Sequence, residues 1–138
     1  MDVKYAVLAD FVNRTGDGKL NIMGIFDGVR AVGFPFSLPR VYLVLRLEAL
    51  SVELDRPFEI EIRLSDADGK TLFGMRGIAA LGRLPGVSAS PSPACTDQII
   101  ELNGLEFERA ASHQLAIFLN NDLKWSISID VASVPPTA

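Results

Sequence analysis

The chain has 138 residues, of which 49% are hydrophobic and 22% are charged, and its formal net charge is −4. This length suffices for one domain but not for two of ordinary size, and no apolar run approaches the roughly 20 residues of a membrane-spanning helix. We therefore expect one domain over residues 1–138. Because the chain is acidic and has no cluster of Lys and Arg, we expect no nucleic-acid partner and no membrane partner.

Apolar and polar residues alternate along most of the chain, with Gly, Pro, Asn and Asp between the runs, and this pattern predicts an all-β protein. In the N-terminal half the predicted strands cover residues 3–13, 19–27, 28–34 and 40–50. The segment 14–18 is rich in turn-forming Gly, Thr and Asp, so the first two strands are expected to form a hairpin.

The clearest strand, 57–65, alternates strictly: its apolar residues are Phe58, Ile60, Ile62 and Leu64, and its polar residues are Glu59, Glu61, Arg63 and Ser65. We expect the first set in the core and the second set in water. A turn at 66–70 leads to a strand at 71–76. Further strands are predicted at 97–108, 112–119 and 123–132, with a hairpin turn at 120–122 and a single helical turn over 106–112.

Eight or nine short strands with little or no helix predict an antiparallel β-sandwich, with a closed β-barrel as the alternative. The last strand is expected to direct Leu123, Trp125, Ile127, Ile129 and Val131 toward the core. Residues 82–97 contain three prolines and three serines, which exclude them from a sheet interior, so they are predicted to form a long loop. The tail at 134–138 is expected to fray.

The sequence offers little for catalysis or metal binding. Its one histidine, His113, begins a predicted strand, and its one cysteine, Cys95, lies in the Pro/Ser-rich segment. An enzymatic function would require these two residues, or His113 and a carboxylate, in one pocket. We predict no catalytic, cofactor or metal site, although Asp66 and Asp68 leave open a weak cation site. A single cysteine cannot form an internal disulfide, which favours a cytoplasmic location.

Several predicted strands are apolar on both sides. In 40–50, Tyr42 and Val44 lie opposite the main apolar side, and in 112–119 Phe118 does. Such strands need cover on both faces, either from the chain itself, for example the long loop, or from a partner. We therefore predict Tyr42, Val44 and Phe118 as possible interface residues.

The N-terminal half carries a series of short motifs: Ala9-Asp10, Gly18-Lys19-Leu20-Asn21, Gly24-Ile25-Phe26-Asp27 and Phe34-Pro35, followed by Asp68-Gly69. In these motifs the chain resembles a family of small, uncharacterised bacterial proteins that form a domain of unknown function. The resemblance implies an immunoglobulin-like β-sandwich and no assigned activity, and it carries over no catalytic residue.

The functional hypothesis from sequence is a non-enzymatic, cytoplasmic β-sandwich that acts through protein contacts as a homo-oligomer. The alternative is a module that binds a small ligand or a carbohydrate through the 82–97 loop and the turns at the ends of the sandwich.

Overall fold

A computed structural model describes residues 1–82 and 94–136 of the chain. Nine β-strands account for most of these residues, and a short 3-10 turn, Ser51–Glu53, follows the fourth strand. The strands are β1 Asp2–Arg14, β2 Leu20–Phe26, β3 Gly28–Ala31, β4 Phe36–Ala49, β5 Phe58–Ser65, β6 Thr71–Ala79, β7 Ala94–Phe107, β8 Ala111–Leu119 and β9 Asp122–Ser133. No α-helix occurs in this described part of the chain.

The strands form two sheets, a four-stranded sheet in the order β2-β1-β4-β7 and a five-stranded sheet in the order β3-β9-β8-β5-β6. Every pairing is antiparallel except that of β3 with β9, which is parallel. The chain passes from one sheet to the other at Asp27, between β2 and β3. The two sheets do not close into a barrel, so the predicted β-sandwich is confirmed.

The core lies between the inner faces of the two sheets. It is formed by alternate residues of the central strands, and its fully buried members include Leu43 and Leu45 on β4 and Leu115, Ile117 and Ile129 on the opposite sheet. Burying each such side chain stabilises the fold by about 1.5–3 kcal/mol relative to leaving it in water. Because one face of such a strand packs in the core and the other faces water, apolar and polar residues alternate in its sequence.

Some predicted boundaries change in the structure. The helical turn expected over 106–112 is wrong, because β7 continues through Phe107 and β8 begins at Ala111. The last residues of the predicted loop at 82–97 belong to β7, which starts at Ala94 and pairs with β4 as far as Ala49. Residues 83–93 of that loop, and residues 137–138 of the predicted frayed tail, lie outside the described residues.

A β-bulge changes which face Leu123 occupies. Ile117 pairs with Trp125 while Phe118 pairs with Leu123, so β9 has one extra residue, Lys124, at this point. Successive side chains of a strand point to opposite faces of the sheet, so one inserted residue moves Leu123 to the outer face, where it is 59% exposed. The prediction that Leu123 lies in the core is therefore wrong, whereas Ile127, Ile129 and Val131 are buried as expected.

Candidate functional site

The outer side of the four-stranded sheet carries a continuous group of apolar side chains. Val7, Val44 and Ile99 are register partners across β1, β4 and β7. On the neighbouring strands, Phe11 is opposite Met23, and Ala9 is opposite both Ile25 and Tyr42. We call this group the apolar face, and it consists of Val7, Phe11, Met23, Ile25, Tyr42, Val44 and Ile99.

The β2 side of the apolar face is open to solvent. Phe11 is 43% exposed, Met23 57% and Ile25 60%. The Phe11 ring packs edge-on against the Tyr42 ring with their centroids 6.5 Å apart, so Phe11 and Tyr42 form one connected surface. Scattered apolar residues are normal on protein surfaces, whereas large contiguous apolar patches are typical of contact sites.

Gly24 lies between Met23 and Ile25 on β2, at a position that requires glycine. Its φ is +72°, in the left-handed region, and its backbone lies against the Asp10 side chain of β1. A Cβ at this position would stand 2.6 Å from the Asp10 Oδ2 atom and 3.0 Å from its Cβ. Only glycine fits both the backbone angle and this close approach.

Charged residues of both signs border the apolar face. The Asp97 carboxylate accepts hydrogen bonds from the Tyr5 hydroxyl at 3.2 Å and from Arg46 Nε at 3.0 Å and Nη2 at 3.3 Å. Burial and the Asp97 charge raise the pKa of the Tyr5 phenol above its ordinary value. A second pair, Arg40 and Glu101, lies on the same side of the sheet with 3.8 Å between Nη1 and Oε1.

The three predicted interface residues do not lie together. Tyr42 is half-buried on the apolar face, and Val44 lies on the same face but is fully buried between its register partners. Phe118 lies on the outer side of the five-stranded sheet, beneath the Arg63 guanidinium at 4.8 Å from the ring centroid. A partner on the four-stranded sheet would therefore contact Tyr42 and the exposed residues beside it, which the sequence analysis did not single out.

Glu61 corrects the expectation of a fully solvated polar face on 57–65. Its side chain is only 8% exposed, and its carboxylate pairs with Arg63 and, at 2.9 Å, with Arg76 from β6. The hydrogen bond from Arg63 holds the pKa of the Glu61 carboxyl below its usual range. Glu59 remains partly exposed.

The candidate catalytic pair is not assembled. His113 is fully buried, with Nδ1 3.0 Å from the Ala111 carbonyl oxygen and its ring edge-on to Phe107. Cys95 is exposed at the other end of β7, twelve residues from Phe107, which corresponds to about 40 Å along a strand that rises roughly 3.3 Å per residue.

The two aspartates of the 66–70 turn are engaged in local contacts. Asp66 Oδ1 accepts the backbone N–H groups of Asp68 and Lys70, each at 2.9 Å, and the Asp68 carboxylate pairs with Arg109 at 2.6 Å. Within residues 1–82 and 94–136, no three His, Cys, Asp or Glu side chains are grouped as metal ligands.

Comparison with known proteins identifies a family but no activity. The model of the family described as "Family of unknown function (DUF6941)" matches residues 4–132, which is nearly the whole chain. The chain belongs to this family. No curated protein matches it. The expected membership in a domain of unknown function is thus confirmed, while a bacterial source and an immunoglobulin-like relationship stay predictions.

Within residues 1–82 and 94–136, no helix is long and apolar enough to span a bilayer. The alternative of ligand binding through the 82–97 loop falls largely on residues outside the described ranges and stays a prediction.

Proposed function

We propose that this protein is a non-enzymatic module that acts through protein contacts, and that its partner is a second copy of the chain docked on the apolar face. The observation that carries the proposal is the exposure of Phe11, Met23 and Ile25 in one connected patch on the outer side of a sheet. Removing such surface from water is favourable by about 25 cal/mol per Å².

The border of the apolar face favours a copy of the same chain over a strongly charged partner. In a two-fold symmetric dimer each patch meets itself, so it must be self-complementary. A border of a single charge would repel its own copy. Here Arg46 lies beside Asp97 and Arg40 beside Glu101, so a rotated copy can place each cation near a carboxylate.

The non-enzymatic and cytoplasmic parts of the proposal have separate support. His113 is buried in the core and Cys95 lies far from it, which argues against a cysteine nucleophile activated by a histidine base. A cytoplasmic location is favoured by the single, exposed cysteine, which has no partner within the chain for a disulfide.

The test is the molar mass in solution, measured by light scattering over a range of protein concentrations. The wild-type chain is expected to reach the mass of a dimer, and Met23→Lys is expected to stay monomeric, because it places a charge among the exposed apolar side chains of the contact. Leu123→Lys is the matched control, since Leu123 is 59% exposed against 57% for Met23 but lies on the other sheet. A wild-type chain that stays monomeric at high micromolar concentration would overturn the proposal.

A further inference from the structure

One edge of the five-stranded sheet is only partly occupied. β9 runs from Asp122 to Ser133, but its neighbour β3 pairs with it only from Asp130 to Ser133. On the side away from β8, residues 122–129 therefore have no hydrogen-bonded strand within the part of the chain that the structure describes, although β1 of the facing sheet lies close to this edge. An unpaired strand edge is a template for another extended chain.

The backbone of this open stretch is directed toward the vacant position. The Asp130 N–H donates to the Asp27 carbonyl oxygen at 2.9 Å, which fixes the side of β9 that faces β3. Alternate residues of a strand direct their N–H and C=O groups to the same side, so Ser126 and Ser128 direct theirs to the vacant side. Their hydroxyl groups point elsewhere, because both contact the Gln114 side chain on the outer face.

A cavity of about 380 Å³ lies along this open edge, with β1 and the end of β2 on one side and β9 on the other. Its walls include Phe26 and Asp27 on one side and Trp125, Ser126, Ile127 and Ser128 on the other. The volume falls within the roughly 300–1,000 Å³ of ordinary ligand sites. The site therefore combines free backbone groups with apolar side chains, as strand-addition sites do.

The charge at this site is negative. Asp27 lines the cavity, and within residues 1–82 and 94–136 no side chain forms an ion pair with it. The single cation of the open stretch, Lys124, already pairs with Asp2 at 3.5 Å. A basic side chain on the incoming segment would complement Asp27.

We propose that this cavity binds an extended segment of a partner protein, in which apolar and basic residues alternate, by adding it as a strand to β9 in line with β3. The backbone of the segment pairs with Ser126 and Ser128. Its apolar side chains enter the space between Phe26, Trp125 and Ile127, and a basic side chain contacts Asp27. The cavity adjoins the apolar face, because Val7 and Ile25 also line it. Neither proposal depends on the other.

The test uses the fluorescence of Trp125, which is the only tryptophan in the chain. The probe is a short synthetic peptide of alternating valine and lysine with blocked ends, and the matched control is the same peptide with glutamate in place of lysine. The full chain is titrated with each peptide, and again in the Met23→Lys background to remove self-association. Saturable fluorescence changes are expected with the lysine peptide and not with the glutamate peptide.

Two variants locate the site. Ser128→Pro removes an N–H that the incoming strand needs but that no neighbouring strand of the described chain uses, so the domain is expected to fold and to bind the lysine peptide roughly tenfold more weakly. Ser128→Ala keeps the N–H and is expected to bind as wild type does. Asp27→Asn, which leaves the backbone intact, is expected to weaken binding of the lysine peptide and keeps the test valid if the proline variant does not fold.

Three results would overturn the inference: no saturable response to the lysine peptide, equal binding of both peptides, or unchanged binding in Asp27→Asn. In the Met23→Lys background, a response of Trp125 to protein concentration alone, without peptide, would also overturn it, because the occupant of the cavity would then be a second copy of the chain.

Discussion

Replacing Gly24 with alanine should destabilise the protein through two effects that the structure separates. At φ +72° an alanine pays about 1–2 kcal/mol for the left-handed backbone. Its Cβ would also stand 2.6 Å from Asp10 Oδ2 and 3.0 Å from two further atoms of that side chain, so Asp10 must leave its rotamer at a cost of about 0.5–1.5 kcal/mol. We predict a loss of roughly 1.5–3.5 kcal/mol in the free energy of unfolding.

The measurement is urea unfolding followed by Trp125 fluorescence. It is made at one fixed protein concentration, because self-association would add to the apparent stability. Gly74→Ala on β6 is the matched control: a Cβ there meets nothing within 4 Å and the φ is not left-handed, so this variant should be unchanged or more stable by about 0.4–1 kcal/mol. Asp10→Ala combined with Gly24→Ala should recover the part of the loss that comes from the Asp10 carboxylate. The 3.0 Å contact with the Cβ of residue 10 and the backbone cost remain.

A free energy of unfolding for Gly24→Ala within about 0.5 kcal/mol of wild type, the range of an ordinary surface change, would contradict this prediction. An equal loss of stability in Gly74→Ala would contradict it as well. A loss in Gly24→Ala that Asp10→Ala does not reduce would remove the steric explanation.

Three further predictions concern the bulge, the buried carboxylate and the polar border of the apolar face. Ile129→Ala should cost about 2–5 kcal/mol in urea unfolding, whereas Leu123→Ala should cost less than about 0.5 kcal/mol, and similar losses for both would contradict the bulge. Glu61 has a lowered pKa in the folded state, so its ion pairs stabilise the fold fully above the ordinary value of 4.5 and less as the pH falls through the folded value. The stability difference between wild type and Glu61→Gln should therefore shrink in acid, and a constant difference would refute this origin. Asp97→Asn should lower the pKa of Tyr5 in an ultraviolet absorbance titration, and an unchanged pKa would show that Asp97 does not act on it.

Strands were predictable because half-buried strands repeat every two residues, as β5 does from Phe58 to Leu64. The bulge at Lys124 was not predictable, because the sequence of β9 alternates regularly through it and the extra residue appears only in the pairing with β8. The burial of Glu61 was missed for a similar reason: one of the two cations covering it, Arg76, comes from the neighbouring strand.

An apolar surplus on both sides was predicted for 3–12, 19–27, 40–48 and 115–119. The first three segments carry the apolar outer face of the four-stranded sheet, whereas 115–119 belongs to β8 of the other sheet. Sequence alone did not give the order β2-β1-β4-β7, and that order is what joins Phe11, Met23 and Ile25 to Tyr42. Phe118 lies on the other sheet, away from the apolar face. The sequence could not show this, because alternation within a strand contains no information about which sheet the strand joins.

Self-association through the apolar face can be tested by NMR spectra of the wild-type chain at low and high protein concentration. We predict that methyl signals of Met23 and Ile25 shift with concentration, while those of Leu123 and Ile78 on the other sheet do not. Both pairs are well exposed in the isolated chain, so exposure alone cannot produce the difference. Shifts confined to Leu123 and Ile78, or no shift at any concentration, would contradict it.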